Sequence, residues 1–165
     1  VAEDAADVAD AIRRGYRGPL ERLHALGALS AGSILAHGVH LDAEQVRYAG
    51  MLGCWLVQNP RSNRHNKVGY PRALAESPLV ALGTDGFVSD LGEEGSVLLE
   101  EALAHGEDAN VVERRAAGGQ ALVAQLCGFT QDRPAAPDIN DAMMEEIRAE
   151  ARDAAAILWK RMAEL

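Results

Sequence analysis

Three short apolar runs, each followed by a polar residue, constrain this chain more than any other feature. They are residues 33–36 (S-I-L-A), 54–57 (C-W-L-V) and 79–83 (L-V-A-L-G). Each has the length of a strand, and helical patterns separate them at roughly 25-residue spacing. Strands alternating with helices in this way predict βαβ crossovers and a parallel sheet. His37, Gln58 and Asp85 fall just past the C-terminal ends of the three runs. In parallel α/β folds that edge is where sites are built. Asp85 is the leading candidate, a single acid delivered by L-V-A-L-G-T-D-G. The plain alternative is a turn, because Gly-Thr-Asp-Gly is also turn chemistry. A strand-end histidine such as His37 can likewise be a merely satisfied polar group.

The remaining segments support the same class. Residues 4–16 place Val8, Ala9, Ile12 and Tyr16 at helical spacing, with acids early and Arg13 and Arg14 late. A second short helix follows Gly18-Pro19 up to Leu26. Asp42 with Gln45 reads as a capping box for a helix through Val46, Ala49 and Leu52. Residues 59–70 (N-P-R-S-N-R-H-N-K-V-G-Y) are so polar that they predict a long loop, in which Arg61 and Asn63 hold the backbone. Two helices are expected over 91–105 and 110–126, the second weakened by Gly118-Gly119. Residues 129–138 have linker composition. Residues 139–165 predict a long amphipathic helix with Met143, Ile147, Ala151, Ala154, Leu158, Met162 and Leu165 as a packing stripe.

Composition narrows the function classes. The 165 residues carry 25 acids against 16 bases, a net charge of −9, which argues against nucleic acid and anionic membrane as partners. Alanine supplies much of the 48% apolar content while aromatics are only 4%, which favours helices over an all-β architecture. Cys54 and Cys127 are too few and too far apart for a zinc knuckle or a disulfide framework. Free thiols fit a cytoplasmic location.

Three motifs in order then resemble a known family. A36-H37-G38-V39-H40-L41, V57-Q58-N59-P60-R61-S62-N63 and A81-L82-G83-T84-D85-G86 are similar to the amidohydrolase superfamily. They fit best in the branch of aminohydrolases and chlorohydrolases that includes guanine, cytosine and adenosine-type deaminases. N63-R64-H65-N66-K67-V68-G69-Y70 with F87-V88-S89-D90 is most similar to the SsnA-like aminohydrolases. The resemblance covers about residues 1–94. It implies an α/β fold, the C-terminal portion of a (β/α)8 TIM-like barrel followed by helices. Residues 1–128 would then be the partial barrel, 129–138 a linker and 139–165 a C-terminal helix.

The resemblance also implies roles. Asp85 matches an aspartate that is a metal ligand and takes a proton from the attacking water. His37 matches a histidine that contacts that water or the leaving side of the substrate. Glu3 matches the glutamate of an H-x-x-E motif that shuttles a proton to a ring nitrogen, although it also reads as an ordinary acid near a helix start. His40, Gln58 and His65 are candidate substrate contacts, or loop residues; many family members carry a histidine where Gln58 stands. The implied cofactor is one divalent metal, zinc or iron. Three of its four ligands, an H-x-H pair and the histidine of H-x-x-E, have no counterpart in the sequence.

The implied activity is metal-dependent hydrolysis of a C–N bond in a cyclic amidine or nucleobase-like small molecule. The alternative is a catalytically inactive interaction module that keeps the half-barrel. An open half-barrel would expose a strand edge and its inner face. The tail helix, a second copy of the chain or an N-terminal half-barrel is the expected cover.

Overall fold

The computed structural model describes residues 1–128 and 140–163, so the expected linker at 129–138 lies outside the described residues. Contacts divide the chain into two units, Val1–Phe129 and Thr130–Leu165.

The first unit is mixed α/β. Its sheet has three parallel strands in the order β1 (Ile34–Ala36), β2 (Trp55–Gln58) and β3 (Val80–Leu82). Leu35 pairs with Leu56, which pairs with Val80, so one face of the sheet carries all three. That face packs on the helix α3 (Ala43–Met51) through Val46 and Ala49, and on Leu74 of a 3-10 turn at Arg72–Glu76. The helices α1 (Ala5–Arg13) and α2 (Pro19–Ala25) precede the sheet, and Leu20 of α2 joins the same core. The expected capping box is present on α3: Asp42 accepts from the Gln45 N–H, and the Gln45 side chain accepts from the Asp42 N–H.

Residues 59–70 depart from the expected loop. Pro60–Asn66 form a helix, α4, with proline in its first turn, where its missing N–H and fixed φ cost nothing. Lys67 closes it in the left-handed region at φ 55°. No apolar stripe marks this helix because ionic contacts hold it. Arg61 Nε lies 2.7 Å from Glu94 Oε1, and the Arg61 N–H donates to Glu94 Oε2 at 3.0 Å. The same guanidinium pairs with Glu93 and donates to the Val88 carbonyl. Arg64 meets Glu101 at 2.8 Å and Glu100 at 2.9 Å. All four acids lie on the following helix, α5 (Leu91–Ala104), and Glu94 is fully buried there.

Helix α6 (Val111–Cys127) supplies the cover that an open sheet needs. Leu122 packs on Trp55 and Ala81, on the face opposite Leu56, and the Trp55 indole donates to Gln125 at 2.9 Å. The same helix protects the free edge of β3. Leu79 O and Gly83 N bond to β2, so the intervening Val80 carbonyl points the other way. Gly118 sits against that carbonyl: a Cβ there would lie 2.0 Å from the Val80 oxygen. The glycine that weakens the helix in isolation is what lets it approach the sheet. Gly119 has nothing within 4 Å of an added Cβ.

The second unit contains α7 (Asp141–Ala163), in line with the expected helix. Met143 and Ile147 of the expected stripe are exposed, while the side chains of Leu158, Met162 and Leu165 lie outside the described residues. Among the described residues, no helix is long and apolar enough to cross a membrane.

Two paired tests follow from this packing. Gly119→Ala is expected to stabilise the fold by about 0.5–1 kcal/mol in denaturant unfolding, through helix propensity alone. Gly118→Ala is expected to destabilise it by about 1–3 kcal/mol, because α6 must move off the β3 edge. Arg61→Ala is expected to lower the melting temperature more than Arg64→Ala, since it strands the buried Glu94 carboxylate.

Candidate functional site

Three segments end at one edge of the sheet. The Val1 N–H donates to Ala36 O at 2.8 Å, Gly38 N–H donates to Val1 O at 3.0 Å, and His40 N–H donates to Ala2 O at 3.0 Å. Residues 1–2 are thereby laid along the end of β1, and Glu3 stands where they leave it. His37 follows β1, its N–H bonded to Val57 O at 2.8 Å. Asp85 follows β3 in the Thr84–Phe87 turn. Gly83 permits that exit, because a Cβ there would come within 2.5 Å of Val57 Cγ1 and 2.6 Å of Asn59 Oδ1.

The backbone is strained at this edge. His37 at φ 71° and Asp85 at φ 50° occupy the left-handed region, which side chains rarely adopt. Ala2, beside Glu3, does so at φ 49°. Each such residue costs about 1–3 kcal/mol and persists only where surrounding contacts impose it. Here the strain turns three side chains toward one point. His37 Nε2 lies 3.5 Å from Asp85 Oδ2 and 3.6 Å from Glu3 Oε2. The histidine is buried, while the two carboxylates are partly open to solvent.

Helix α4 holds all three. Ser62 Oγ donates to Asp85 Oδ2 at 2.6 Å. Asn63 Oδ1 lies 2.9 Å from His37 Nδ1. Asn66 Nδ2 donates to Glu3 Oε1 at 3.2 Å and approaches Ser62 Oγ at 3.4 Å. Ser62 and Asn63 are buried. Asn63 therefore touches the candidate histidine instead of holding a loop backbone. Ser62 and Asn66 were not among the expected site residues. Their spacing, one turn apart after Asn59-Pro60, is the only sign of them in the sequence.

The other expected contacts stand apart. Gln58 is fully buried and accepts from Arg115 Nε at 3.2 Å, so its side chain serves the packing of α6 on β2. His40 is exposed. His65 is exposed and stacks edge-on against Phe87 at 5.8 Å. Behind Gln58, Tyr70 donates to Glu107, and burial together with that carboxylate pushes the phenol well above its ordinary range. Burial pulls the Arg115 guanidinium in the opposite direction.

A cleft of about 240 Å³ lined by Gln58, Asn63, Arg64, Tyr70 and His105 shares Asn63 with the trio. A larger one of about 460 Å³, between α2 and α3, shares no residue with it.

The donor set decides what the edge can do. Two carboxylates and an imidazole at 3.5–3.6 Å suit proton exchange with a small molecule placed among them. They do not make a metal cage. Among the described residues, no three of His, Cys, Asp and Glu are arranged to hold a metal ion, whereas a zinc site takes at least three protein ligands.

No family model matches the chain. It is 35% identical over 111 residues to the aminodeoxyfutalosine deaminase of Deinococcus radiodurans, covering 64% of this chain and 27% of that protein. It is 34% identical over 102 residues to the 5'-deoxyadenosine deaminase of Methanoregula boonei, covering 57% and 23%. With the 5-methylthioadenosine/S-adenosylhomocysteine deaminase of Syntrophobacter fumaroxidans it shares 33% over 93 residues, covering 54% and 21%. Among solved structures, an adenosine deaminase from Xanthomonas campestris with bound zinc matches with a TM-score of 0.61 and 29% identity, over 73% of this chain and 30% of that one. The chain spans about a quarter of the length of the curated relatives it matches. Over the matched residues the chain is thus similar to deaminases of adenosine-type compounds.

Proposed function

We propose that this chain carries the proton-transfer side of an aminohydrolase that replaces an exocyclic amino group of an adenosine-like small molecule by oxygen. The observation that carries the proposal is the convergence of Glu3, His37 and Asp85 at one strand-end edge. The relatives' names as deaminases support the reaction type, and the 5-methylthioadenosine and 5'-deoxyadenosine in two of those names support the substrate class.

The roles follow from where each group sits. Asp85 is partly open to solvent and held by one hydroxyl, which leaves a carboxylate oxygen free to take a proton from an attacking water. Glu3, across His37 from Asp85, delivers a proton to the ring nitrogen as the C–O bond forms. The proton gathered at Asp85 leaves with the amine as ammonia, and the hydroxyl left on the carbon gives its proton to Glu3 as the C=O bond forms, which restores both acids. His37 stands between the two acids and contacts the entering oxygen or the departing nitrogen.

A divalent metal, where further ligands join Asp85 to hold it, supplies a water already easier to deprotonate. In this reading the chain is the C-terminal part of a (β/α)8 barrel and works with the remaining strands. A strand closing on β3 has to take the Val80 carbonyl from Gly118, so completing the barrel requires α6 to shift.

The test is ammonia release from adenosine and 5'-deoxyadenosine, with zinc, for the chain alone and with the other barrel strands supplied as a separate polypeptide. Turnover is expected in the complemented sample. Asp85→Asn is expected to lower it by about 10²- to 10⁴-fold with an unchanged fold by circular dichroism. Full activity in Asp85→Asn contradicts the assignment, as does absence of turnover in every complemented sample.

A further inference from the structure

The apolar stripe of α7 reads the same in both directions. Met143, Ile147, Ala151, Ala154, Leu158 and Met162 follow one another at spacings of 4, 4, 3, 4 and 4 residues. The midpoint falls between Arg152 and Asp153. Ala151 and Ala154 stand nearest to it, Ile147 and Leu158 further out, and a methionine at each end. All six positions lie within the 23 residues of the helix. A repeat of 4, 4 and 3 advances about 3.67 residues per turn, so the stripe stays on one face of a nearly straight helix. Met143, Ile147, Ala151 and Ala154 are exposed.

A palindromic stripe is complementary to itself under one operation, a two-fold axis at right angles to the helix. We propose that α7 pairs antiparallel with α7 of a second copy of this chain, the axis passing midway between Ala151 and Ala154. In that register position 151 of each copy is level with position 154 of the other, 147 with 158, and 143 with 162. Alanine at the centre lets two backbones approach closely, and the larger residue types meet at the outer levels. A foreign partner would place no such symmetry on the stripe.

Charge selects this orientation over a parallel one, in which each level would also meet its like in size. Residues 141–150 carry four acids and one base, and residues 151–163 carry three bases and one acid. Glu145, Glu146 and Glu150 of the first half are exposed, and so is Lys160 of the second. Parallel pairing sets acid half beside acid half. Antiparallel pairing sets each acid half beside a basic one and opposes the two helix dipoles. Size pattern and charge pattern therefore agree on one partner in one direction.

This pairing is independent of the aminohydrolase reading, and its test uses the full chain without substrate. Light scattering over a concentration series is expected to show a dimer of the 17.6 kDa chain. Ala151→Glu places a charge at the centre of the pair at little cost in helix propensity. It is expected to give the monomer at concentrations where the wild type is dimeric. Orientation is read in a Cys127→Ser background, because Cys127 is an exposed free thiol. Ile147→Cys and Leu158→Cys chains, mixed and treated with diamide, are expected to cross-link to each other and neither to itself. A monomer at every concentration overturns the inference. So does a dimer that survives Ala151→Glu, or one that cross-links through Ile147→Cys alone. Should Ala151→Glu fail to fold, the wild-type mass and the cross-linking pattern decide.

Discussion

One turn of helix ties together side chains that lie more than eighty residues apart in the chain. Ser62, Asn63 and Asn66 share a face of α4 because the helix repeats every 3.6 residues, and each reaches a different strand-end group. Backbone bonds place the three segment ends at one edge, and this face adds the side-chain contacts that orient Asp85, His37 and Glu3 there. The helix is seven residues long, too short to persist alone. Its permanence comes from Arg61 and Arg64, which anchor it to α5 through four acids. The site's geometry therefore depends on an ionic seam one layer behind it, with the buried Glu94 at its centre.

The sheet meets a second constraint in parallel. Three strands in one sheet leave an edge and a face to be covered, and both problems are solved by α6. Gly118 lets the helix lie on the Val80 carbonyl, and Leu122 and Gln125 close over Trp55. The same arrangement makes a folded unit from a segment that matches only about a quarter of its relatives' length. In the proposed barrel reading it also sets a competition, because the edge that α6 protects is one at which a further strand would add.

The strands were legible in the sequence because their signals are local. Short apolar runs closed by glycine mark β1 to β3, and Asp42 with Gln45 marks the start of α3. Helix α4 was not legible as a helix. Its residues bury polar atoms against other polar atoms, so no apolar period exists to be read, and only Pro60 hints at a first turn. Gly118 was misjudged for the same kind of reason. Its cost is local and visible, while its benefit is a contact with a carbonyl 38 residues earlier in the chain. Gln58 looked like a site residue by its place at a strand end, yet Arg115 draws it into the packing beneath α6, a partner 57 residues away. Ser62 and Asn66 become meaningful only once the helix exists.

The convergence of Glu3, His37 and Asp85 on one point is the claim on which the function depends, and proton–proton cross-relaxation in uniformly labelled protein reads it directly. Cross-peaks from the His37 ring protons to the side chains of Asp85 and Glu3 are expected, together with contacts to Ser62 and Asn63. A folded chain in which the His37 ring shows cross-peaks to its β1 and β2 neighbours but none to Asp85 or Glu3 would contradict it.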